Sequence, residues 1–268
     1  MQFPPAGRFF VLRSLQMAKQ AMQVNQARVD VLANNLANVA TSGFRQVLTQ
    51  VSEVAPAGVD APGADGLALP AAARRAGGGD ALRDLTVDHA TDVRRGEVAS
   101  TGRDSDLALA SRGFFVVQDQ DGNAFYTRDG NFHRDDAGRL ATADGQAVQG
   151  TGGPLEIGAG KLEVTRDGQV MVDGATRGRL RVADFAEPSR LEHRGDSLLV
   201  APDDLAPEDV PAAEVQVLQG HLEASNVDPV RTLVDMIAAQ RAFEVQAKML
   251  QASDESLQKS VNNLSAVR

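Results

Sequence analysis

Residues 229–264, PVRTLVDMIAAQRAFEVQAKMLQASDESLQKSVNNL, decide the fold. On alternating steps of three and four, Leu233, Met236, Gln240, Phe243, Ala247, Leu250, Asp254, Leu257, Val261 and Leu264 form one narrow stripe. That is the spacing of a helix packed against another helix, in the same chain or a neighbouring one. Asp228 stands where a side-chain cap belongs, and Pro229 fits the first helical position. The helix predicted here is roughly 50 Å long at 1.5 Å per residue. A small β domain cannot cover such a stripe alone, so it needs a second helix, a neighbouring subunit, or both.

The other end of the chain supplies a matching stripe: Val11, Leu15, Ala18, Met22, Asn25, Val29, Leu32, Leu36 and Val39. The residues around it are good helix formers, which predicts a helix from about Phe10 to Asn38. Pro4, Pro5 and Gly7 are expected to keep the leader before it non-helical. Asn34, Asn35, Asn38, Thr41, Ser42 and Gly43 then stop the helix. Asn amides compete for backbone hydrogen bonds, and Gly takes the left-handed turn beyond a helix end. Asn25, Gln240 and Asp254 interrupt the two stripes; either they sit at loosely packed positions, or they fix register and partner choice.

Between the helices lie two kinds of chain. Residues 55–95 begin rich in Ala, Pro and Gly and read as a connector, flexible or ordered by a partner. From about Gly96 to Leu218, Asp-Gly pairs recur at 121–122, 129–130, 144–145, 167–168 and 173–174, the chemistry of tight hairpin turns. Strands are predicted at Phe114–Gln118, Ala124–Arg128, Asn131–Arg134, Gly138–Thr142, Leu162–Thr165, Gln169–Val172 and Arg179–Phe185. The expected class is α+β: long N- and C-terminal helices forming a coiled-coil-type domain, with a central, mainly antiparallel β domain. The division is 1–54 (helix and turn), 55–95 (connector), 96–219 (β-rich outer domain) and 220–268 (second helix).

Composition narrows the function. The chain of 268 residues carries a formal charge of −9 with no Trp and a single Tyr, and offers neither the basic stripe nor the aromatic platform of a nucleic-acid binder. With no Cys, disulfides, thiolate catalysis and sulfur-ligated zinc are excluded. No apolar run approaches the roughly 20 residues that span a bilayer. Residues 1–15 lack the pattern of a cleavable signal peptide.

Catalytic and ligand-binding constellations do not emerge, so the expected sets of catalytic, cofactor and metal residues are empty, and no small-molecule substrate is expected. His89, His133, His193 and His221 are scattered and read as surface or turn residues. Asp119–Asn123 begins like a calcium loop, but Gly122 falls too early and Gly130 stands where the bidentate Glu belongs. Gly150-Thr151-Gly152-Gly153 lacks the third glycine of a dinucleotide fingerprint. Asp104 and Asp106 read as a solvated strand edge.

Four stretches together carry a resemblance. Residues 33–45, ANNLANVATSGFR, closely resemble the N-terminal signature of bacterial flagellar rod and hook proteins. GFFVV at 113–117 with YTRDGNF at 126–132, GHLEASNV at 220–227 and MIAAQRAFE at 236–244 resemble the same family, in the same order. Within it, residues 241–249 are most similar to the proximal rod subunit, whereas the leader through Arg8 and the pair Gln20-Ala21 depart from the usual pattern.

The resemblance implies a structural subunit exported unfolded by the flagellar type III apparatus without signal-peptide cleavage. It would assemble with copies of itself and with other axial proteins into the rod that crosses the periplasm. The stripes and the signature nominate Leu15, Met22, Val29, Leu36, Asn34, Asn35, Asn38, Gly43, Phe44, Asn226, Leu233, Gln240, Phe243, Leu250 and Leu257 for subunit interaction. The alternatives are a distal rod or hook-type axial protein, or a non-enzymatic export cap or adaptor whose terminal helices fold with another partner.

Overall fold

The computed structural model describes residues 6–54, 84–195 and 197–265. Long helices at the two ends flank a central antiparallel β-sheet domain. The first, α1, runs Ala6–Ala37 and the second, α2, Pro229–Ser265. α2 starts as expected: the Asp228 carboxylate accepts from the amides of Val230 at 3.0 Å and Arg231 at 3.1 Å, satisfying two of the orphan donors of the first turn. α1 begins earlier than about Phe10 and takes in Gly7. A glycine in a helix costs only about 1 kcal/mol against Ala, which the strong formers behind it outweigh. Among the described residues no helix is long and apolar enough to cross a membrane.

Two compact units divide the chain. One gathers Asp30–Leu48 and His89–Ile237; the other takes residues 6–29, 49–54, 84–88 and 238–265. In the second unit, Asn25 donates to the Gln246 side chain at 2.9 Å. Strands Val47–Val54 and Asp84–Thr91 form a two-stranded sheet. The latter occupies part of the expected connector; its alternating Leu85 and Val87 are a strand signal hidden behind the Ala/Gly-rich chain before it. Residues 55–83 of that connector lie outside the described residues.

The larger unit is built around Phe114–Gln118. This strand pairs antiparallel with Ala124–Thr127, Ala147–Gly150 and Val182–Asp184. Its side chains alternate between two apolar clusters. Phe115 and Val117 join Leu107, Phe132, Leu140 and Val148 on one side, with Phe115 edge-on to Phe132 at 5.3 Å. Phe114 and Val116 join Tyr126, Phe185, Leu191 and Leu199 on the other, with Tyr126 perpendicular to Phe185 at 4.7 Å. Burial on both faces explains why the segment reads as an unbroken apolar run. A three-stranded sheet, Leu162–Val164, Gln169–Val172 and Ala175–Arg179, completes the first cluster.

Not every Asp-Gly pair is a hairpin turn. Gly130 sits where an added Cβ would lie 1.5 Å from the carbonyl oxygen of Leu107. Its requirement is close backbone approach, not turn geometry. The Asp119–Asn123 stretch is a turn: the Asp119 carboxylate accepts from the Asp121 and Asn123 amides and from the Asn123 side chain, which leaves it fully engaged.

Candidate functional site

Three of the resembling stretches, distant in sequence, meet in the larger unit around one buried charge cluster. Ser42–Arg45 follows α1, Arg128 ends the strand Ala124–Thr127, and Glu223 ends the strand His221–Glu223. Glu223 is 0% exposed and Arg45 2% exposed. Arg45 Nη2 donates to Glu223 Oε1 at 2.6 Å, and Arg128 Nη1 reaches Glu223 Oε2 at 3.3 Å. The Gly96 amide donates to Glu223 Oε1 at 2.9 Å. Backbone carbonyls take further guanidinium donors: Arg45 Nη1 on Arg94 at 2.7 Å, Arg128 on Leu109 and Ser111 at 3.0 Å each. The Nε atoms of the two arginines and the Ser111 hydroxyl are buried without a hydrogen-bond partner.

Two arginines on one carboxylate make a cationic cluster in a dry place. Burial lowers the Arg128 pKa to about 10, opposed by the attraction of Glu223 and assisted by repulsion from Arg45. The Arg128 guanidinium also stands 5.5 Å from the centre of the Phe114 ring. Such a cluster gives little net stability over an apolar core, but removing one member strands the other charges.

The surrounding residues tie the two terminal segments together. Gly43 has φ +65°, and a Cβ on it would lie 2.1 Å from the Asp129 amide nitrogen. Its own amide donates to the Glu223 carbonyl at 2.7 Å. The Asn226 side chain accepts from the Gln46 amide at 2.7 Å and donates to the carbonyls of Asp92 and Arg94 at 3.1 and 2.8 Å. Ser42 donates to Asp129 at 2.6 Å, and Ser197 donates to the Ser42 carbonyl at 2.8 Å. Phe44 is buried with its ring 5.2 Å from that of His193.

His193 corrects the expectation that each histidine lies at the surface or in a turn. Both of its ring nitrogens are covered and lack hydrogen-bond partners; burial lowers its pKa to about 4. Asp106 corrects the solvated-edge expectation: it is fully buried, held by Arg103 at 2.6 Å and by the Thr101 hydroxyl at 2.6 Å. Asp104 is exposed.

The residues nominated from sequence separate into groups. Asn35, Gly43 and Phe44 are buried in the larger unit and Asn226 is half-buried there. Asn35 holds Val47 at both ends of its amide, donating to the carbonyl at 2.8 Å and accepting from the N–H at 2.9 Å. Asn38 bonds back to the Asn34 carbonyl at 3.0 Å and receives the Thr41 hydroxyl at 3.1 Å, while Asn34 is exposed. Met22, Val29, Leu36, Phe243 and Leu250 are half-buried. Leu233 and Gln240 are exposed. The side chains of Leu15 and Leu257 lie outside the described residues.

On α2 the better-covered side follows Thr232, Met236, Ala239, Phe243, Gln246 and Leu250, again in steps of four and three. It shares Met236, Phe243 and Leu250 with the expected stripe. The other side is apolar too: Val230 is 72% exposed, Val234 60%, Ile237 42% and Val245 53%. A helix apolar on two sides satisfies more than one heptad reading, so period alone could not select the covered one.

Arg45, Arg128 and Glu223 were not nominated as site residues. All three stand inside the quoted stretches, but nothing in their local sequence marks a buried charge. Among the described residues, no group of three or more His, Cys, Asp or Glu is placed to hold a metal ion.

Comparison with known proteins follows the same three regions. Residues 15–45 match a family model described as flagella basal body rod protein. Residues 108–172 match the flagellar hook protein FlgE/F/G D1 domain, and 218–264 the flagellar basal body rod FlgEFG protein C-terminal model. The chain is 32% identical to the flagellar basal-body rod protein FlgG of Bacillus subtilis over 94% of this chain and 99% of that one. It is 30% identical to FlgG of Agrobacterium fabrum over 91% and 96%. It is 33% identical to the rod protein FlgF of Salmonella typhimurium over 90% and 92%. Similar to these relatives nearly end to end, and built so that the matched ends and middle converge on one buried cluster, the chain belongs to the flagellar basal-body rod and hook protein family.

Proposed function

We propose that this chain is a non-enzymatic structural subunit of the bacterial flagellar basal-body rod, polymerising helically through its terminal helices into the axial drive shaft. The observation that carries the reading is the apolar side of α2, with Val230, Val234, Ile237 and Val245 open to solvent in a single copy. Exposed apolar side chains gathered on one helical face are stabilised by association. Its heptad-like steps suit coiled-coil-type packing.

In this reading residues 1–54 and 220–268 supply the helical core, 96–219 the β-rich outer domain, and 55–95 a connector, flexible or ordered by a partner. Leu233, Gln240 and Asn34 are contact residues alongside the exposed valines, together with the partly covered Met22, Val29, Leu36, Phe243 and Leu250. Copies of the chain and other axial proteins are the partners. Delivery is by the type III export apparatus without a cleaved leader, and the subunit resides in the rod across the periplasm. Placement in the proximal section rests on residues 241–249.

The test is Ile237→Asp, with Val234→Asp as its companion, in a swimming strain. Thermal unfolding of the purified subunits should match wild type, while the variants are missing from isolated basal bodies and cells stop swimming. Normal incorporation and motility would reject the helical interface. Recovery of wild-type protein in culture supernatant but never in purified basal bodies would instead support an export cap or adaptor.

A further inference from the structure

Residues 215–227 follow a mostly exposed run, 202–214, punctuated by Pro202, Pro207 and Pro211. They then supply what several earlier elements lack. Strand Val217–Gln219 is the sheet partner of Leu107–Leu109, and His221–Glu223 the sheet partner of Val98–Ser100. Val215 and Val217 fill the first apolar cluster. The Gln219 amide donates to the carbonyls of Asp104 at 2.8 Å and Leu162 at 2.9 Å, and accepts from the Val164 amide at 3.0 Å. The Gly220 amide bonds the carbonyl of the buried Asp106 at 2.8 Å. Last in sequence, Glu223 brings the carboxylate on which Arg45 and Arg128 converge.

Before residues 215–227 dock, the β-rich unit has two unpaired strands, a gap in its core and two guanidiniums without their acid. Before residues 42–45 dock, Glu223 lacks its shortest ion pair. Each omission leaves buried polar groups or charges unsatisfied, so they cannot be skipped cheaply. We propose that residues 215–227 form a closing strap with Glu223 as its latch, so that the β-rich unit has no closed form until strap and residues 42–45 are both seated. The elements of the latch lie 178 positions apart in the chain. A chain delivered end-first, from either end, therefore stays open until nearly all of it is free. The inference rests on the closed unit alone and is independent of the proposed place in the rod.

The full-length chain has no Trp, so single reporters can be placed at will: Phe125→Trp beside the first cluster and Leu222→Trp in the strap. The expected result is one coincident urea transition from both reporters. Glu223→Ala should shift both equally and raise the unfolding constant about a hundredfold or more, because two buried cations lose their carboxylate. A strap transition that moves away while the Phe125→Trp transition stays in place would overturn the proposal. If the Glu223→Ala chain does not fold, native-state hydrogen exchange on the unaltered protein decides. The amides of Val217 and Glu223 should open together with those of Phe115 and Val117. Exchange of the strap amides tenfold or more ahead of a still-protected Phe115 and Val117 would show a closed unit without its strap, and reject the latch.

Discussion

The larger unit and the outer side of α2 treat the same problem in opposite ways. Around Glu223 both carboxylate oxygens and every terminal guanidinium nitrogen have a partner within the chain, and Arg45, Phe44 and Glu223 are buried from solvent. Along α2, Val230, Val234 and Ile237 are left to water, although the helix has a covered side only a turn of the axis away. The contrast separates two demands often read from one motif. Residues of the signature that look suited to recognition, above all Asn35, Gly43, Phe44 and Asn226, complete the subunit itself. The large apolar side chains that α2 leaves uncovered stand instead on one helical face.

This contrast can be broken most sharply at Arg45. Arg45→Met leaves Glu223 with Arg128 alone in a dry site, and should lower the stability of the larger unit by about 3–5 kcal/mol, read as a shift in urea midpoint at unchanged slope. A loss below about 1 kcal/mol would mean that the cluster is wet and its members replaceable by water.

Acidification should come next in size. His193 in the folded chain titrates at about 4, below the ordinary 6.5, so the unfolded chain takes up its proton first. The stability that depends on neutral His193 is complete above pH 6.5, declines as pH falls from there, and is gone below about 4. Full protonation would amount to about 3 kcal/mol at most. His193→Phe keeps an apolar ring against Phe44 and should flatten the stability profile between pH 7 and 5. An unaltered slope in that variant would assign the acid sensitivity to other groups.

Smaller again is the effect of Asn35→Ala, which strands the amide and carbonyl of Val47 and should cost about 1–3 kcal/mol. Calorimetry of the purified subunit measures it directly. A stability equal to wild type, with a defect only in basal bodies, would move Asn35 to the recognition side of the comparison. At the other extreme, Val230→Ser and Val234→Ser should change monomer stability by no more than about 0.5 kcal/mol. A larger loss would mean that this side of α2 is covered within the subunit in solution.

Local features of the fold were legible, and non-local ones were not. Phe114–Gln118 and Gln169–Val172 stand where the pattern of apolar residues and turns puts them. The start of α2 follows from Asp228-Pro229, because a cap is a contact between residues two or three apart. Strands Val98–Ser100 and Leu107–Leu109 escaped notice: each has three residues, and each gains its identity from a partner more than a hundred positions away. Gly130 was misread for a related reason. A glycine required by an approaching carbonyl looks, in one sequence, like a glycine required by a turn. The ion cluster was hidden more deeply, since nothing about Arg45 or Glu223 in isolation distinguishes a buried charge from a solvated one. On α2, Met236, Phe243 and Leu250 of the expected stripe lie on the covered side while Leu233 and Gln240 are exposed, because apolar residues surround much of this helix and period alone does not rank its faces.

The paired hydrogen bonds between Asn35 and Val47 also fasten the last turn of α1 to the strand that follows it. One side chain grips the donor and the acceptor of the same peptide residue, at 2.9 and 2.8 Å. Separating Val47 from Asn35 therefore forfeits a donor and an acceptor together.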